Sequence, residues 1–178
     1  VVDGATTDIT GRIEPARAAS GKLSALRIVM NARTIAPDAD TAAKKQFVID
    51  RIDFDGIASA EEARLDVADF QVMSGDAGVR VRGSFLGGEE SMAIRVGGRI
   101  KDMPAGVLKK LWPPIVAPKT RKWVADNIKS GRIDDAEFTI DFPANALAKA
   151  LREKDIPANA VNVKFNLSNV TTSYFKDL

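Results

Sequence analysis

Apolar and polar residues alternate along most of the first hundred positions of the chain. The alternation is clearest between Val79 and Phe85, where apolar residues are separated by arginine and serine. Side chains on a strand point to opposite faces in turn, so this period predicts strands with one apolar and one polar side. Turn signals at Gly75-Asp76 and Gly87-Gly88 flank the segment, and together these features predict an antiparallel β-meander over residues 1–101.

The alternation ends at a segment, residues 102–131, in which the pattern is helical. Asp102 precedes Met103-Pro104 and is typical of a helix N-cap, so a first short helix is predicted there. The prolines at positions 113, 114 and 118 interrupt the helical pattern, because each lacks a backbone N–H. A second helix is predicted to begin at Pro118 and to end at Gly131.

Strand-like sequence returns in residues 132–178, with one further helix predicted at residues 144–154. An irregular segment from Thr34 to Lys44 is expected to overhang an edge of the sheet. The predicted fold class is α+β, with a mostly antiparallel sheet. Three short helices are too few to cover eight or so strands, so part of the apolar side of the sheet is expected to stay open. In a monomer an open apolar surface is normally a sign of function.

The composition limits the chemistry that the chain can perform. Its 178 residues, 45% hydrophobic and 28% charged, suit a single folded domain, and they contain no apolar run long enough to cross a membrane. The chain has no cysteine and no histidine, which excludes disulfides, Cys/His metal sites, thiol catalysis and imidazole acid–base chemistry.

Carboxylates are the remaining candidates for chemistry, since they can form glycosidase or metal sites. No pair of them has the glycine, histidine or aromatic neighbours that such sites normally need. We therefore interpret them as solvated strand and turn positions, and we predict that the chain is not an enzyme and has no cofactor or metal. The residues concerned are Asp50, Asp53, Asp55, Asp66, Asp69, Asp134 and Asp135.

The segment from Lys109 to Arg132 is basic, since it contains seven basic residues and a single acidic one, Asp126. Two interpretations stay open: a solvated helix face that keeps the protein soluble, and a surface that attracts anionic lipid head groups. Nucleic acid is not an expected partner, because stacking needs exposed aromatic residues and both tryptophans are expected on the packing side. The predicted basic helix face consists of Lys119, Arg121, Lys122 and Lys129.

The sequence LWPPIVAPKTRKWVADNIKSGRIDDAEF resembles a motif of the AsmA-like envelope proteins of the YhdP and TamB type. The match rests on a Leu-Trp-Pro, an Ala-Pro-Lys-x-Arg-x-Trp and an Asn-x-x-x-Gly that precede a new strand. It is strong over roughly residues 100–142 and merely compatible elsewhere. The predicted structural motif, which is expected to clamp the helices onto the sheet, consists of Trp112, Pro113, Pro118, Trp123 and Gly131.

The resemblance implies a piece of a much longer periplasmic protein that is anchored in the inner membrane of a Gram-negative bacterium. Such proteins are thought to be bridge-like lipid transfer proteins, in which repeated β units form a curled, taco-like groove for phospholipid acyl chains. Neighbouring β-groove repeats of the same chain would then be partners as well as phospholipid. The predicted lipid-groove residues are Leu65, Val67, Val79, Val81, Phe85, Met92, Ile94, Val96, Phe138, Ile140, Val163 and Phe165.

Two other functions remain open at this point. A structural or assembly module of the envelope would bind other proteins through its sheet edges and its basic helix and would carry no lipid. A polysaccharide or nucleic-acid binder would use the arginine side of the sheet.

Overall fold

The computed structural model describes residues 6–35, 49–111, 118–153, 157 and 159–172. Within these residues eight strands form one antiparallel sheet, in which neighbours in the sequence are paired. The strands are β1 (Thr6–Ala16), β2 (Ala25–Ile35), β3 (Arg51–Ser59), β4 (Arg64–Ser74), β5 (Ala77–Leu86), β6 (Ala93–Pro104), β7 (Ile128–Phe142) and β8 (Val161–Thr172).

Three short helices interrupt this meander in the part of the chain that the structure describes. α1 (Ala105–Leu111) and α2 (Pro118–Asn127) lie between β6 and β7, and α3 (Ala146–Glu153) lies between β7 and β8. In the described part of the chain β1 and β8 each pair along one edge only, so the sheet is open. The α+β class and the mostly antiparallel sheet are therefore confirmed. Of the predicted irregular segment, Thr34 and Ile35 belong to β2, and the rest, up to Lys44, lies outside the described residues.

The predicted start of the first helix is wrong. Met103 and Pro104 extend β6 and pair with Ile133 and Arg132 of β7, and α1 begins only at Ala105. Met103 is 2% exposed and contacts Ile133, so burial of its side chain favours the strand over the helical N-cap that the local sequence suggests. Asp102 takes a positive φ of 51° instead of capping a helix, and its carboxylate lies 3.0 Å from the guanidinium of Arg132.

The predicted end of the second helix is also wrong. α2 ends at Asn127, and Gly131 lies inside β7 with a φ of 144°. The pairing of β7 with β8 shifts register twice between Ile128 and Arg132, and such bulges use backbone conformations that residues with a Cβ rarely adopt. Gly131 therefore permits an irregular start of the strand. The third helix, predicted at residues 144–154, is observed at Ala146–Glu153.

Close packing of Phe138 and of the Arg80 backbone explains why position 98 is a glycine. A Cβ on Gly98 would lie 2.4 Å from Cζ of Phe138 and 2.7 Å from the carbonyl oxygen of Arg80. The phenyl ring therefore occupies the space that a side chain at position 98 would need. At the neighbouring Gly97, whose side faces the other way, the nearest atoms to a Cβ are at 3.6 and 3.8 Å, which is ordinary contact.

These two glycines make a matched pair for a stability test. Gly98→Ala should destabilise the fold by about 1–3 kcal/mol, since the carbonyl of Arg80 is backbone and cannot move aside. Gly97→Ala should be neutral or stabilising by up to about 1 kcal/mol, because alanine restricts the unfolded chain. Urea unfolding of both variants measures the difference. Equal midpoints for the two variants would contradict the packing of Phe138 on Gly98.

Candidate functional site

One face of the sheet is apolar from the first strand to the last. Residues that pair across an antiparallel sheet point to the same side, so the strand registers assign each side chain to a face. The row across the middle of this apolar face, called the central row below, contains no polar residue. It consists of Gly11, Met30, Phe54, Phe70, Val81, Gly98, Phe138 and Val163, one residue from each strand in order.

The apolar face contains eleven of the twelve residues that the sequence predicted for a lipid groove. Met92 is the exception, because it precedes β6 and lies in the connection from β5. The eleven are Leu65, Val67, Val79, Val81, Phe85, Ile94, Val96, Phe138, Ile140, Val163 and Phe165.

The predicted lipid groove leaves out the part of the apolar face that lies on the first strands. The same alternation predicts strands with one apolar side there, but these residues are not among the predicted groove residues. They are Ile9, Ile13, Leu26, Ile28, Met30, Ile52 and Phe54 on β1, β2 and β3, together with Phe70 and Val72 on β4.

The helices cover two separate parts of this face. Val107 and Leu108 of α1 pack against a cluster at one end of β5, β6 and β7, which includes Met103 and Ile133. At the opposite ends of β6, β7 and β8, α3 packs with Ala150 against Phe142, Ile94 and Val161. Among the predicted groove residues, Val79 therefore packs against the cluster that α1 covers, and Ile94 and Ile140 pack against the cluster that includes Ala150 of α3.

Several large apolar side chains outside these two contacts are exposed, whereas Val67 and Val96 are buried. Ile9 and Ile13 on β1 are 66% and 65% exposed, and Phe165 on β8 is 55% exposed. Leu26 and Met30 on β2 are exposed as well. Phe54 and Phe70 are half-buried and pack edge to face, with ring centroids 6.4 Å apart. The apolar face is thus exposed on β1 and β2 and along the edge formed by β8, whereas on β3 and β4 its residues are half-buried or buried.

A network of ion pairs occupies the opposite, charged face. Arg27 on β2 binds Asp55 on β3, and Arg80 on β5 binds Asp69 on β4, with shortest distances of 2.7 and 2.6 Å. Both pairs are bidentate, since Nε and a terminal nitrogen of each arginine donate to the two carboxylate oxygens. Hydrogen bonds from Arg27 and Arg80 hold the pKa values of Asp55 and Asp69 below the usual range, against the opposing effect of partial burial.

The remaining candidate carboxylates have structural partners. Asp66 pairs with Arg64 at 2.7 Å, Asp135 pairs with Arg99 at 2.8 Å, and Asp134 accepts a hydrogen bond from the hydroxyl of Ser168. Asp53 pairs with Arg51, and Asp50 accepts the backbone N–H of Gly75. Within the described residues no three carboxylates are grouped so that they could hold a metal ion.

The predicted basic helix face is largely engaged in contacts within the helix region. Lys122 forms an ion pair with Asp126 at 2.8 Å, and Lys129 donates to the carbonyl of Asp126. Lys109 donates to the carbonyl of Ala125 in the last turn of α2 and to that of Ile128 at the start of β7. The side chain of Lys119 lies outside the described residues, and Arg121 has a partner of its own. Attraction of this face to anionic membranes stays a prediction.

The predicted structural motif can be followed at two of its residues. Val124 and Ile128 of the α2 region are buried together with Ala105, whereas Trp123 is 47% exposed. Val124 and Ile128, rather than the Trp123 indole, therefore anchor α2. Gly131 belongs to β7, as described above. Trp112 and Pro113 lie outside the described residues, as does the side chain of Pro118.

Comparisons of the chain with protein-family models, with curated proteins and with solved structures find no match. None of the helices in the described part of the chain is both long and apolar enough to span a membrane.

The ion pairs of the charged face should make the fold less stable in acid, because the pKa values of Asp55 and Asp69 are lowered. A carboxylate whose native pKa is lowered stabilises the fold above its unfolded pKa of about 3.9, and this contribution is lost as the pH falls through the native pKa. Asp69→Asn should therefore reduce the dependence of unfolding free energy on pH below about 4. Arg80→Gln should reduce it likewise, because it removes the donor. Urea titrations at several pH values test this, and strictly additive effects in the double variant would contradict a direct pair.

Proposed function

We propose that the chain is a segment of a bridge-like lipid transfer protein, in which the apolar face serves as a groove for phospholipid acyl chains. The supporting observation is the continuity of the apolar face across all eight strands, together with the exposure of its side chains on β1, β2 and β8. Water-exposed apolar surface of this kind is costly unless a partner covers it.

The dimensions of the face agree with such a role. Eight strands about 4.8 Å apart extend over about 34 Å, and four apolar positions per strand extend over about 20 Å. The projected area is about 700 Å², larger than the patch of about 300–600 Å² that is the largest on a typical monomer. Even after the helices cover part of it, a whole acyl chain can lie on the remainder.

No specific polar contact is needed for this kind of binding. Each CH₂ group that leaves water gains about 0.8 kcal/mol, so a chain of ordinary length can be held by hydrophobic contact alone. In this mechanism the acyl chains slide along the apolar face while the head groups stay in water at its margin. No bond is made or broken, which agrees with a chain that lacks cysteine and histidine.

The same proposal includes the family and the location that the tryptophan–proline motif suggests. The parent protein would be an AsmA-like protein of the Gram-negative envelope, held in the inner membrane by a segment elsewhere in the chain, and this part would lie in the periplasm. Adjacent β units of the parent chain would continue the groove. Curling of the sheet into a groove is part of this proposal, and the bulge in β4 between Val67 and Phe70 is a feature that bends a strand.

An assembly module that carries no lipid is the alternative. The observation in its favour is the pair of open sheet edges, because β1 and β8 present backbone groups to which a strand of another protein can add. A protein that covers the apolar face would also remove its exposure to water.

Lipid retention by the purified protein distinguishes the two functions. Native mass spectrometry should detect co-purified phospholipid on the wild-type chain. Val81→Asp, a charge in the central row that neither helix contacts, should abolish this binding without unfolding the domain. Thr139→Asp is the matched control, since Thr139 is exposed on the charged face between two apolar-face residues, and it should retain lipid.

A wild-type chain that carries no lipid after gentle purification from bacteria would contradict the proposed function. So would equal lipid retention by Val81→Asp and Thr139→Asp. Circular dichroism and a cooperative urea transition establish that each variant is folded.

A further inference from the structure

Trp123 on α2 is the only exposed aromatic residue of the described part of the chain that lies off the apolar face. It is 47% exposed, whereas Val124 and Ile128 are buried together with Ala105 of α1 and hold the helix in place. Phe165, the other exposed aromatic residue, belongs to the apolar face at β8. Since the packing of α2 does not need the indole, the indole is available to a partner outside the chain.

The surface beside Trp123 is basic. Lys122 forms its ion pair with Asp126 while its side chain stays 79% exposed, and Lys129 donates to the backbone carbonyl of Asp126. The hydrogen bond from Lys122, together with the charges of Lys129 and Lys109, holds the pKa of Asp126 below its usual range. Three ammonium groups therefore share one carboxylate, so this end of α2 has an excess of positive charge.

A helix surface that combines an indole with ammonium groups suits the surface of an anionic bilayer. Tryptophan prefers the head-group layer, because its ring is apolar while its N–H can donate a hydrogen bond. Lysine side chains are attracted to lipid phosphates, and each one close to an anionic membrane strengthens binding by about fivefold. Single-stranded nucleic acid fits less well, since several aromatic residues along a basic groove normally hold it, and α2 contains one.

We propose that this side of α2 docks onto an anionic membrane surface, with the Trp123 indole in the head-group layer and Lys122 and Lys129 facing the lipid phosphates. The inference goes beyond the proposed function and does not depend on it, because the apolar face takes no part in this contact. α2 packs on α1 at one margin of the apolar face, so docking brings that margin to the bilayer.

Vesicle flotation of the full chain tests the docking surface directly. The vesicles contain phosphatidylcholine alone or an equal mixture of phosphatidylcholine and phosphatidylglycerol, which is anionic. The wild type should bind the mixed vesicles more tightly. This preference should weaken when the salt concentration rises from about 0.01 to about 0.15 M, because the screening length falls from about 30 to about 8 Å. Asp126→Asn should strengthen binding by about fivefold, since it removes the carboxylate that opposes the lysines.

Two pairs of lysine substitutions change the charge of the chain equally. Lys122→Gln with Lys129→Gln should weaken binding to the mixed vesicles by about tenfold or more. Lys149→Gln with Lys164→Gln is the matched control, because these two lysines are also exposed but lie on α3 and β8. The control pair should weaken binding far less.

Trp123→Ala should weaken binding several-fold without unfolding the chain, because Val124 and Ile128 hold α2. Phe165→Ala is its control, since Phe165 is 55% exposed on the apolar face, and it should leave vesicle binding close to that of the wild type. Circular dichroism and a cooperative urea transition establish that each variant is folded. If Trp123→Ala does not fold, the lysine pairs and Asp126→Asn decide the question.

Equal losses in Trp123→Ala and Phe165→Ala, or in the two lysine pairs, would overturn the docking surface. So would equal binding to the two kinds of vesicle, no binding to either, or tighter binding of a single-stranded oligonucleotide than of the mixed vesicles. Native mass spectrometry keeps this result separate from the proposed function, because Trp123→Ala should retain co-purified phospholipid as the wild type does. Absence of phospholipid from the wild type, with vesicle docking intact, would contradict the groove alone.

Discussion

The structure depends on strict two-residue alternation that stays in phase across eight paired strands. Because each strand pairs with its sequence neighbour, a slip of one residue in any register would turn the apolar side chains of that strand to the charged side. One bulge in β4, visible in its pairing with both β3 and β5, shows how the phase is kept. Between Val67 and Phe70 this strand contains one residue more than either partner strand, and the bulge accommodates it so that Val67 and Phe70 both remain on the apolar face.

The side chains of the two faces differ in whether they find partners within the protein. On the charged face, arginine and aspartate side chains from adjacent strands pair with each other, as Arg27 does with Asp55. On the apolar face the helices cover two strand ends, and most of β1 to β4 has no second layer among the described residues. A sheet whose charged face is paired internally and whose apolar face is partly exposed is suited to bind an apolar ligand.

Features that depend on local sequence patterns could be predicted from the sequence, and features that depend on tertiary contacts could not. Alternation is local, so the meander, the α+β class and the position of eleven groove candidates on one face could be predicted from it. Helix boundaries depend on tertiary contacts, and burial of Met103 against Ile133 converted a predicted helix start into strand. The exposure of Trp123 and the use of Lys109 to cap α2 also depend on how α1 and α2 pack, which no local pattern contains.

The most direct measurement of the central claim is a scan of lipid contact along β2, where both faces reach solvent and no helix contact is described. The chain has no cysteine, so single cysteines at positions 26 to 31 can each carry one fluorophore. With phospholipid that carries a quencher on its acyl chain, quenching should alternate, strong at Leu26, Ile28 and Met30 and weak at Arg27, Val29 and Asn31. Uniform quenching at all six positions, or none at the three apolar-face positions, would contradict a lipid-binding apolar face.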